Sequence, residues 1–200
     1  MPLLHGVMYR GSSEMMRLLV AHGANVDRRD HNGRTPLSTA AYEKNTLMVE
    51  LLLELGAAVD TEDDQGCTPL RRIVDTLLDD YQDAIPTISQ LVAAGAEMVA
   101  SGALHAAAVF ADEEALRVMV DAGADVAIVY MGKKMLTADL PLGLTAREYF
   151  DRRCGRRSGR ELVRLPDQFV YNHKIYERTF GLDGRLESRI IELLTPNNIE

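Results

Sequence analysis

A tripeptide, Thr35-Pro36-Leu37, returns thirty-three residues later as Thr68-Pro69-Leu70. A second element, Gly56-Ala57, has counterparts at Gly23-Ala24, Gly95-Ala96 and Gly123-Ala124. Recurrence at a spacing of this size marks a chain built from copies of one small supersecondary unit. Such a unit cannot bury its apolar face alone, so neighbours must stack on it. This constraint selects a stacked helical array over a compact two-layer domain.

The most complete copy runs from Asp30 to Thr61. Asp30 suits the first position of a turn, and Gly33 supplies the positive φ such a turn needs. Thr35 is a helix N-cap, with Pro36 at the first helical position, where a missing N–H costs nothing. Leu37, Ala40 and Ala41 form the buried face of a first helix. Met48, Val49, Leu52 and Leu53 follow the i, i+3, i+4 rule for a second. Gly56 ends that helix in the left-handed region.

These residues together resemble the ankyrin-repeat family. Leu4-His5 and Leu104-His105 occupy the leucine-histidine place of its Thr-Pro-Leu-His motif, and Gly143-Leu144-Thr145-Ala146-Arg147 resembles the start of a last repeat. The resemblance implies an all-α solenoid of helix-turn-helix units joined by short β-hairpins or loops. It divides residues 1–200 into one array with repeats at about 1–29, 30–62, 63–100, 101–127 and 128–195, the last carrying an insertion at about 154–184. Lys44-Asn45 stands where the family often has glycine, and Asn45 is expected to tolerate the left-handed bend. Arg71-Arg72 replace the motif histidine and its neighbour, which puts the histidine hydrogen bonds between repeats in doubt there.

Several irregularities follow from the chain in order. In the first repeat Met15, Met16, Leu19 and Val20 are expected to pack the second helix. Leu3, Val7 and Met8 are apolar for a solvent-facing end, which fits a fragment of a longer array or a degenerate cap. The stretch from Leu70 to Gly95 is six residues longer than that from Leu37 to Gly56, which places extra chain near Asp79–Asp83. Pro86 restarts a helix packed by Leu91 and Val92. Ala115, Leu116, Met119 and Val120 pack the next second helix. A loop spans Ile128–Leu142, and a closing helix over Leu186–Leu194 presents Ile190, Ile191, Leu193 and Leu194.

Composition narrows the function. The net charge is −8, against general nucleic-acid binding. The split is uneven: residues 1–142 carry −10 and residues 143–200 carry +2. Arg152, Arg153, Arg156, Arg157, Arg160 and Arg164 crowd the tail, as do Tyr149, Phe150, Phe169, Tyr171, Tyr176 and Phe180. That aromatic density suggests that the insertion folds onto the array. Apolar runs are far shorter than a membrane span. The start shows no signal-peptide pattern, and two distant cysteines, Cys67 and Cys154, fit a reducing compartment, so an intracellular, cytoplasmic or nuclear, setting is expected.

No catalytic, cofactor-binding or metal-binding constellation emerges. His5, His22, His31, His105 and His173 form no ligand pair, and His5 and His105 take the family's structural place. The carboxylates at Asp60, Glu62, Asp63, Asp64 and at Asp75, Asp79, Asp80, Asp83 fall on a loop tip and a helix-end loop, where solvated acidic surface is expected. Gly155 to Arg160 is a weak anion-loop pattern.

The resemblance therefore implies a non-enzymatic module that binds another protein through a concave face of loop tips and first helices. An alternative is a regulatory or targeting segment of a larger enzyme or scaffold. Carried over by position, the contact residues are Tyr9, Arg29, His31, Arg34, Tyr42, Glu43, Glu62, Asp64, Gln65, Asp75 and Phe110. Tyr9, Tyr42 and Phe110 are read as equivalent aromatic anchors. The acidic finger suggests a basic or mixed-charge partner.

Overall fold

The structure is a computed structural model. It describes residues 3–8, 12–76, 84–110, 112–131, 143–153 and 184–196. The expectations for Tyr9, Asp79–Asp83, most of the 128–142 loop and the 154–184 insertion lie outside the described residues. The chain divides into two compact units, Met1–Ser101 and Gly102–Glu200.

The first unit holds three helix pairs. They are α1 (Leu3–Met8) with α2 (Ser13–Ala21), α3 (Pro36–Tyr42) with α4 (Thr46–Glu54), and α5 (Pro69–Val74) with α6 (Ile85–Ala93). The first helices form one row, with α3 between α1 and α5, while α4 packs on α6 in a second row. Thr35 and Thr68 cap α3 and α5 by accepting from the amides of Ser38 and Arg71, each with proline in the first turn. Leu37, Ala40, Ala41, Val49, Leu52, Leu70, Ile73, Ile88 and Leu91 are fully buried between the rows. The alanines on α3 leave room for neighbouring first helices to pack closely.

Two hydrogen bonds tie successive pairs at matching places. Asp27 Oδ1 accepts from the Ala58 amide at 3.0 Å, and Asp60 Oδ1 accepts from the Glu97 amide at 3.0 Å. His5 Nε2 donates to the Arg34 carbonyl at 3.0 Å, joining α1 to the loop before α3. Thr46 and Thr87 join α4 to α6, hydroxyl to hydroxyl, at 3.0 Å.

The second unit contains α7 (Ala103–Phe110), α8 (Glu113–Asp121), β1 (Val129–Tyr130), β2 (Leu144–Thr145), α9 (Ala146–Arg153) and α10 (Gly184–Leu193). α7 packs on α8 and α9, and α8 packs on α10. β1 and β2 form a two-stranded antiparallel ladder, Val129 opposite Thr145 and Tyr130 opposite Leu144. Thr145 and Glu148 start α9 with a reciprocal capping box, each side chain accepting from the other's amide. His105 sits at the centre of this unit. Its Nε2 donates to the Ile128 carbonyl at 3.1 Å, and its ring lies 5.4 Å from Tyr130 and 5.7 Å from Tyr149.

Several expectations need correction. The left-handed residue after α3 is Lys44, at φ 55°, and not Asn45. Asn45 caps α4, its side chain accepting from the Met48 amide. Leu51 is buried on α4, where Leu53 was expected and is only half-buried. Ile88, not Val92, completes the buried face of α6, and Val120 is only half-buried on α8. On α2 only Met16 is fully buried, while Met15 is exposed. Counted from Leu37 and Leu104, the residue matching Tyr42 is Val109, which is buried, and not Phe110.

Candidate protein-interaction face

Two loops of the first unit, each ahead of a first helix, are built on one plan. Asp30 Oδ1 accepts from the amides of Asn32 at 2.8 Å and Arg34 at 2.9 Å, while its own amide donates to the Arg34 carbonyl. Asp63 Oδ1 does the same with Gln65 at 2.9 Å and Cys67 at 3.0 Å. Burial works against charge on the Asp30 carboxyl, but the amides of Arg34 and Asn32 outweigh it and hold its pKa below the ordinary value. Gly33 and Gly66 close the two turns at φ 72° and 75°. The loops touch: the Asp64 amide donates to the Asn32 carbonyl at 3.2 Å.

The first loop carries Arg29 and His31, both exposed, and His31 Nε2 lies 3.2 Å from the side-chain Nδ2 of Asn32. Arg34 is half-buried. Its guanidinium carbon stands 5.3 Å over the Tyr42 ring at the end of α3. A cation held over an aromatic face at this distance is attracted by the ring quadrupole. Tyr42 remains 43% exposed, and Glu43 beside it is exposed. The fold thus brings Arg34 and Tyr42 into one cluster, with Glu43 next to it in the chain.

The second loop exposes Glu62, Asp64 and Gln65. Behind it lie two arginines that sequence reasoning treated only as a lost histidine. Arg72 pairs with Asp63, and its guanidinium also donates to Gln65 Oε1 at 3.1 Å. Burial would lower the Arg72 pKa, but the bond to Asp63 outweighs it and the net shift is upward. Arg71 Nε donates to Asp75 Oδ1 at 2.9 Å. Asp75 is therefore not an open contact residue, as the sequence suggested: its side chain is 12% exposed and engaged by Arg71. Burial pushes its carboxyl above the ordinary range despite that partner. Cys67, whose amide closes this loop onto Asp63, is buried, and burial raises its thiol pKa. A pair of arginines one turn after a Thr-Pro cap, with Asp63 and Asp75 within reach, was the available signal for this network.

Of the remaining expected contacts, Tyr9 and the side chain of Phe110 lie outside what the structure describes. No helix among the described residues is long and apolar enough to cross a membrane.

Paired helices stacked in two rows, with Asp-Gly loops ahead of the first helices, define a helical repeat protein. A family model described as ankyrin repeats (3 copies) matches residues 3–88. Residues 3–88 match ankyrin repeats, and the helix pairs of the first unit fit an all-α ankyrin solenoid. Repeats of this family are in general protein–protein interaction modules and are typically non-enzymatic. No curated protein matches the sequence.

Proposed function

We propose that the chain binds a partner protein through the loop tips and the adjoining first-helix residues of its first unit. The observation that carries this reading is the Arg34–Tyr42 stack, an exposed aromatic steadied by a cation beside two hydrogen-bonded loops. Tyrosine and arginine are the residue types that most often dominate binding energy. A ring already held by Arg34 loses less freedom on binding than an unsupported one. Glu62, Asp64 and Gln65 extend the surface, and their carboxylates favour a basic or mixed-charge partner. No residue is assigned a catalytic, metal or cofactor role.

The test uses the partner recovered with the intact chain. Asp64→Lys is expected to slow association at low salt, with an effect that shrinks as salt rises. Tyr42→Ala is expected to speed dissociation at every salt concentration. A third variant changes Arg156 and Arg157 to Glu. If that change alone weakens binding, the tail is the interface and this reading is wrong.

A further inference from the structure

We propose that the outer side of α1 and α2 is a stacking surface for a helix pair of a partner protein, built like α3 and α4 and carrying an aspartate in the loop after its second helix. The inference does not depend on the loop-tip reading above.

Residues 33 apart occupy the same place in the first two pairs. Each contact that the second pair makes with the first therefore identifies what the first pair offers on its own outer side. Met48 and Leu51 line the groove beside Ser13 and Arg17 of α2, and each is 3% exposed. Counted back from the glycine after the helix, Thr87 of α6 holds the place of Met48, and its hydroxyl bonds that of Thr46 on α4. That place meets the preceding second helix in both later pairs. On α2 it is held by Met15, and the place of Leu51 is held by Leu18. These two are 46% and 55% exposed. Leu3 is likewise exposed where Pro36 is buried.

The backbone shows the same open half of a junction. The Ala58 and Glu97 amides each meet an aspartate from the loop after the preceding second helix. Asn25 stands in their place and is exposed, and among the described residues nothing accepts from its amide. The Asp64 amide donates to the Asn32 carbonyl of the preceding loop. His31 stands in the place of Asp64, and among the described residues its amide has no acceptor either. A covering group must satisfy these donors as well as bury Met15 and Leu18. A helix pair with an aspartate in its following loop supplies all of this at once, as α3 and α4 do for α5 and α6.

The probe is a host ankyrin array whose last helix pair and following loop are replaced by residues 34–66, since one pair alone does not bury its apolar face. It is titrated onto the full chain. The grafted host is expected to bind where the ungrafted host does not, and hydrogen exchange at the Asn25 and His31 amides is expected to slow. Met15→Glu in the chain and Asp60→Ala in the graft are each expected to weaken binding about tenfold. Met15 is exposed, so its variant should melt as the unaltered chain does. Tyr42→Ala in the chain should leave this binding unchanged, which separates it from the loop-tip reading. A grafted host that does not bind, or that binds equally well after both changes, overturns the inference. Exchange at Asn25 that slows in the chain alone as its concentration rises also overturns it, because the surface then belongs to a second copy.

Discussion

Asp63 and Arg72 meet nine residues apart in a site from which water is nearly excluded, with 1% and 6% of their side chains exposed. The Asp63 carboxylate shapes the loop through one oxygen and takes the arginine with the other. The outward acidic tip is thus fixed by an inward cation.

Removing one member of such a pair strands a buried charge. Arg72→Met is expected to destabilise the chain by about 3–5 kcal/mol. Asp63→Asn combined with Arg72→Met should lose less than the sum of the single changes, because the two side chains share one interaction. Urea denaturation of the three variants checks this. A single Arg72→Met change that leaves the midpoint unmoved would show that the pair contributes nothing.

Gly33 faces two obstacles at once. Its φ of 72° strains any L side chain, and an added Cβ would stand 2.7 Å from the Asp64 backbone nitrogen. Gly56, at φ 82°, has open space around it. Gly33→Ala should therefore cost clearly more than Gly56→Ala, which carries only the left-handed penalty of about 1–2 kcal/mol. Equal losses in a thermal melt would refute the contact between the loops.

The buried imidazole of His5 makes stability depend on pH. Burial lowers its pKa, and the bond to the Arg34 carbonyl only partly opposes this. The folded state therefore binds the proton less readily than the unfolded chain. The contribution is complete above the ordinary imidazole value of about 6.5 and is lost as pH falls through that value and below. His5→Gln keeps a donor without the titration. Between neutral and mildly acidic pH, the unaltered chain should lose more melting temperature than the variant. Parallel losses would remove His5 as the cause.

Core and cap can be compared within one repeat. Leu52→Ala empties a fully buried site and should cost about 2–5 kcal/mol. Thr35→Ala removes the bond to the Ser38 amide and should cost about 0.5–2 kcal/mol. Similar small costs would place Leu52 outside the core between rows.

What could be read in advance was what short-range chemistry determines. Thr35-Pro36, Asp30 and Gly33 each answer to a local requirement, and each sits as those requirements dictate. The second-helix pattern located the buried stripe, but not whether Leu51 or Leu53 would be inside it, since that depends on the neighbouring helix. Lys44 takes the left-handed bend because Asn45 is needed as a cap, a competition between adjacent residues that propensity alone does not resolve. At the face, Arg34 and Tyr42 were named separately; their stacking depends on the turn that brings residues eight apart together. Asp75 was misplaced for a related reason. A carboxylate at a helix end reads as solvated until a buried arginine four residues earlier turns it inward.

The ties made by Asp27 and Asp60 span different lengths of chain. One joins residues 31 apart and the other residues 37 apart, yet both close the same bond at 3.0 Å. The six additional residues enter between α5 and α6, and the carboxylate still finds the amide of the next Gly-Ala turn. Spacing along the chain is thus not what keeps successive units in step. The aspartate acts as a ratchet tooth, engaging the following unit however much chain has been paid out between them.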